Sequence, residues 1–101
     1  MDKKKDKNVV ILTGVTESYD WGRDTEVVGI YSDFKDAKNE FIDLASDHID
    51  DRNTLAIKAI NNIKKLDSKA FNDLWDGAFD GLIYDDGKTR LILQIKRRKL
   101  Q

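Results

Sequence analysis

Apolar positions along this chain change their period several times, and each change marks an element boundary. Residues 9–15, Val-Val-Ile-Leu-Thr-Gly-Val, are rich in β-branched side chains and predict a largely buried strand; residues 25–31, Thr-Glu-Val-Val-Gly-Ile-Tyr, predict a second. Residues 16–24 between them are polar apart from Tyr19 and Trp21, so the pair reads as a hairpin with a nine-residue loop, longer than a hairpin needs. Beyond it the period becomes helical. Asp33 suits an N-cap, with Asp36 at the third helical position, where a carboxylate meets the positive end of the helix dipole. Phe34, Ala37, Phe41, Leu44 and Ala45 then form one apolar stripe and predict a helix to about His48. Continuing that phase would bury His48 and Arg52, whereas the next apolar set is Ala56, Ile57, Ile60, Ile63 and Leu66. The register therefore breaks between Asp47 and Asn53, leaving two helices or one bent one.

Ser68 is placed to cap a short third helix carrying Phe71, Leu74 and Trp75, which Gly77 would end in a left-handed conformation. Residues 82–85 and 88–95 flank Asp86-Gly87, a dipeptide favoured at the centre of two-residue type I′ hairpin turns. Pairing about that turn sets Tyr84 opposite Thr89 and Leu82 opposite Leu91, with Leu93 and Ile95 on the same face and Arg90, Ile92, Gln94 and Lys96 on the other. The order of two strands, two or three helices and two strands predicts an α+β fold. Its economical form is an antiparallel sheet of about four strands, built from two hairpins, with the helices packed on one face.

Length fits one domain over residues 1–101. Apolar residues make up 40% of the chain and charged residues 37%, so the core depends on the patterning just described. No apolar run is long enough to span a membrane and the lysine-rich start lacks a signal-peptide core, which predicts a cytoplasmic protein. The absence of cysteine removes disulfides, thiolate metal sites and thiol nucleophiles. Charge is uneven. Residues 1–7 carry +2 and residues 96–101 carry +4, so the net −1 leaves −7 on residues 8–95. The ends, 1–7 and 97–101, read as flexible and basic, and the acidic body favours basic partners.

Candidate chemistry is sparse. Gly87-Lys88-Thr89 resembles the tail of a phosphate-binding loop, but Gly81 stands one residue too far upstream and a strand pattern follows, so a hairpin turn is the better reading. Asp73, Asp76 and Asp80 step by three and four along the third helix, with Asp85 and Asp86 beyond. Lacking calcium-loop spacing, they have two readings, a solvated acidic face or a carboxylate surface beside Trp75, Phe79 and Tyr84 for a basic protein groove, and no metal or cofactor is expected. His48, the one histidine, reads as a helix-end surface residue, and no catalytic constellation accompanies it. Tyr19 and Trp21 have two readings: anchors for a partner, or, for Trp21, a ring folded back over the exposed sheet face. Arg90, Lys96 and the basic tail offer a route to phosphates, opposed by the acidic body.

Val9-Val10-Ile11-Leu12-Thr13, a polar loop, Val27-Val28-Gly29-Ile30-Tyr31-Ser32 and a helix with Ala37 together resemble the opening of many short phage and prophage proteins. That resemblance implies an accessory binding domain, of the kind that includes inhibitors of bacterial defence proteins such as anti-CRISPR proteins, and it carries no functional residue with it. The expectation is a non-catalytic binding protein that sets Tyr19, Trp21, Asp73, Asp76, Asp80, Asp85 and Asp86 against a basic, nucleic-acid-binding surface of a larger host protein. The alternatives are a small ligand- or nucleic-acid-binding regulatory domain and a self-associating structural protein.

Overall fold

The structure is a computed structural model that describes residues 7–50, 53–74 and 77–100, with the side chains of Lys7 and Leu100 left aside. Its elements are β1 (Lys7–Ser18), β2 (Gly22–Tyr31), α1 (Phe34–Ser46), α2 (Leu55–Lys64), α3 (Ser68–Asn72), β3 (Ala78–Asp85) and β4 (Thr89–Leu100). The four strands form one antiparallel sheet in the order β2-β1-β4-β3, so both hairpins enter it and the first and last strands are its centre. No helix among the described residues is long and apolar enough to cross a membrane.

All three helices lie on one face, as the α+β reading predicted. Phe34, Ala37, Phe41 and Ala45 of α1, Ala56, Ala59, Ile60 and Ile63 of α2 and Phe71 of α3 are buried against Val10, Leu12, Ile83, Leu93 and Ile95 of the sheet. Asp33 does cap α1, its Oδ1 accepting from Asp36 N at 3.0 Å. The phase break between α1 and α2 is a true interruption: α1 stops at Ser46 and α2 starts at Leu55. Asn53 holds the connection, its Nδ2 donating to His48 O at 2.7 Å and Ile83 O at 2.9 Å. Ile57, expected in the α2 stripe, is 40% exposed, and Ala59 takes its place in the core. Gly81 supplies room where sheet and helices approach, for a Cβ there would lie 2.7 Å from Phe41 Cζ and 3.1 Å from Ala59 Cβ.

Five local expectations are corrected. The first hairpin loop is Tyr19, Asp20 and Trp21 alone, because Thr16, Glu17 and Ser18 pair on both sides of β1, with β2 and with β4. The second turn centres on Gly87 and Lys88, closed by Asp86 N donating to Thr89 O at 3.2 Å. Gly87 has φ +88 and, among the described residues, none other than glycine has positive φ, which fits a type II′ turn and excludes the I′ form. Tyr84 accordingly pairs with Leu91, and a bulge at Ile83 sets Leu82 opposite Ile92, on the face away from the helices, while Ile83 enters the core. The third correction concerns α3, capped by Asp67, whose Oδ1 accepts from Ala70 N at 2.8 Å, one residue before the expected Ser68. Its α-helix ends at Asn72, before Leu74; Gly77 is left-handed as expected, with φ +64, and Trp75 lies outside the described residues. Fourth, residues 97–100 are no flexible end but the close of β4, paired with residues 7–10 of β1. Fifth, Trp21 does not fold back over the sheet: it is 89% exposed.

The helix-free face is ordered in cross-strand rows. From β2 to β3 these are Ile30–Ile11–Lys96–Ala78, Val27–Thr13–Gln94–Asp80, Thr25–Val15–Ile92–Leu82 and Arg23–Glu17–Arg90–Asp85. The last alternates in charge along its length.

Candidate protein-binding site

β1 pairs antiparallel with both its neighbours, so the two hairpin turns must emerge at the same end of the sheet. Ser18 is the last ladder residue on both sides, opposite Gly22 of β2 and Thr89 of β4, and Tyr19 N donates to Lys88 O at 2.9 Å across the gap. This closure brings together Tyr19 and Trp21 from one turn and Asp85 and Asp86 from the other.

The first turn is held by backbone geometry and leaves its aromatic rings free. Ser18 Oγ accepts from Asp20 N at 3.3 Å and from Trp21 N at 3.4 Å, and Gly22 takes φ +86 to re-enter the strand. Tyr19 and Trp21 are 90% and 89% exposed. In the second turn Asp86 Oδ1 accepts from Lys88 N at 2.9 Å and Thr89 N at 2.7 Å, and its Oδ2 accepts from the Tyr84 hydroxyl at 2.9 Å. The backbone donors at Thr89 and Lys88, then the Tyr84 hydroxyl, hold the Asp86 carboxyl below the usual range. The same bond to Asp86, followed by partial burial and the Asp86 and Asp50 charges, raises the Tyr84 phenol. Asp85 Oδ1 accepts from Gly87 N at 3.0 Å, while Arg90 stands 3.5 Å from both Asp85 and Glu17. Between the tips lies a shallow depression lined by Glu17, Tyr19, Asp85, Lys88 and Arg90.

The other predicted residues are scattered. Asp73 caps the C-terminus of α3, its carboxylate 3.5 Å from Lys69 at an exposed position. Asp80 sits on β3, facing away from the helices, its Oδ1 accepting from Gln94 Nε2 at 3.0 Å. Asp76 lies outside the described residues. The expected carboxylate stripe along one helix is therefore not formed by Asp73 and Asp80. Among the described residues no three His, Cys, Asp or Glu side chains are grouped to hold a metal ion. His48 is half-buried after the end of α1, its ring centroid 6.2 Å from that of Tyr84.

Sequence reasoning passed over a groove between β2 and the end of α1. Asp24, Glu26, Asp47 and His48 form its walls, and Val28, Leu44, Leu91 and Leu93 its apolar lining. The signal for half of it was available, because Asp24 and Glu26 share a strand face by their spacing of two; α1's share needed the fold. No family model matches the chain, and no curated protein or solved structure matches it.

Proposed function

We propose that this chain is a non-catalytic protein-binding domain whose hairpin-tip end docks on a basic surface of a larger protein in the cytoplasm, of the kind that grips nucleic acid. The observation that carries the reading is the exposure of Tyr19 and Trp21, 90% and 89%, on a turn pinned by Ser18 and by Lys88 O. Aromatic anchors of this kind are large, lose little side-chain entropy on burial and are enriched at binding hot spots. At this end Glu17, Asp20, Asp24, Asp85 and Asp86 outnumber Arg23, Lys88 and Arg90, which leaves a net negative surround to steer a basic partner. Inhibition of a bacterial defence protein, which the phage-like opening implies, is one use of such a surface. Phosphate binding through Arg90 draws less support, since Glu17 and Asp85 flank its guanidinium.

The test is capture from a nuclease-treated bacterial lysate with tagged wild type and with Tyr19→Ser/Trp21→Ser. A nucleic-acid-binding protein retained by wild type and lost from the double variant, at unchanged thermal stability, is the expected result. Equal retention by both would remove the hairpin tips from the reading.

A further inference from the structure

The sheet has two edges, and they are treated differently. At β3 the edge is bulged at Ile83, whose carbonyl is occupied by Asn53 Nδ2, and α2 packs against the strand. At β2, Gly22–Tyr31, every residue but Gly29 and Tyr31 is exposed, including Val27 at 58% and Ile30 at 64%. Among the described residues no side chain or backbone group covers its outer edge, and a bulge at Val28 is its sole irregularity. A long uncovered edge is a template for another strand.

Side-chain alternation states what that strand must carry. Arg23, Thr25, Val27 and Ile30 face away from the helices, whereas Asp24, Glu26 and Val28 face the groove that Asp47 closes from α1. A second copy of this chain is the wrong occupant. Twofold antiparallel pairing of β2 with itself keeps each residue on its own face, and registers centred on Thr25 or Glu26 set Asp24 against Glu26 or Glu26 against itself, like charge on like charge. We infer that the β2 edge accepts an extended cationic segment of another protein as a fifth strand, with Lys or Arg at alternate positions over Asp24 and Glu26 and β-branched or apolar side chains beside Val27 and Ile30. The inference rests on the protein-binding reading and names the partner element. The edge begins at Gly22, directly after Trp21, so one partner would meet the tip and the edge as a single surface.

The test uses the full chain and two synthetic probes: an eight-residue peptide alternating Lys and Val, and its Glu/Val counterpart. Amide hydrogen exchange and titration by NMR should show the cationic peptide protecting amides of residues 23–30, with no such effect from the anionic one. Asp24→Lys/Glu26→Lys should weaken the cationic peptide by at least ~10-fold. The same charge change placed elsewhere, Asp43→Lys/Asp73→Lys, should leave edge protection in place. Protection by neither peptide, by both alike, or equal loss in the two double variants would overturn the inference. Such failure leaves the Tyr19 and Trp21 test standing, because that test reads capture of a whole protein and not strand addition.

Discussion

At the residue scale Asp86 ties the second hairpin together, and its titration should report on it. A carboxyl whose folded value is lowered contributes stability above its ordinary value near 3.8, and that contribution is lost as pH falls through the lower folded value. Asp86→Asn keeps an acceptor for the turn amides but removes the charge. It should flatten the acid limb of a denaturation series, and Tyr84 should titrate closer to 10. Tyr84 has the opposite sign: its raised value contributes stability below pH 10 that is lost as pH rises through the folded value. Gly81 makes a different prediction. Gly81→Ala places a methyl within 2.7 Å of a fully buried ring edge, and urea unfolding should show a loss of about 1–3 kcal/mol from overpacking. That cost was not visible in the sequence, where Gly81 figures as the misplaced upstream glycine of a phosphate-loop resemblance.

At the element scale the apolar periods of α1 and of the central strands were legible, because burial on one face imposes them. The stripe from Phe34 to Ala45 and the alternation of Leu91, Leu93 and Ile95 both hold. What failed were the places where polar chemistry decides. Thr16 and Glu17 looked like loop because their side chains are polar, yet a strand between two neighbours is fixed by its ladder and not by its side chains. Asp86-Gly87 looked like the turn centre, yet the Asp86 carboxylate binds the amides ahead of it and shifts the turn by one residue. The α1–α2 connection was seen as a phase break, but the residue that holds it was not. Asn53→Ala removes donors to His48 O and Ile83 O, and should cost about 1–3 kcal/mol in equilibrium unfolding, whereas Asn53→Asp keeps the acceptor used by Leu55 N and loses both donors.

On the scale of the whole molecule, one sheet face holds the helices and the other is open, and protection against exchange should follow from that. Amides of Leu12 in β1 and of Leu93 and Ile95 in β4 should exchange slowest in native-state measurements, and outward amides of β2 fastest. Fast exchange in β1 or slow exchange throughout β2 would contradict the strand order. The candidate surface was legible in part. Tyr19, Trp21, Asp85 and Asp86 were each visible as candidates, but their union at one end follows from β1 lying between β2 and β4, a pairing of distant segments that no local pattern encodes.

The same arrangement governs how the domain is made. β4 is the last of the described strands to be synthesised, yet it joins β1 to β3. While it remains inside the ribosome, β1 and β2 amount to a lone hairpin, marginal by itself, and β3 has no neighbour. The helices then have half a floor to settle on. Nascent chains stalled before Thr89 should be cut by protease like an unfolded polypeptide, and resistance should appear in one step once Leu100 has cleared the exit tunnel.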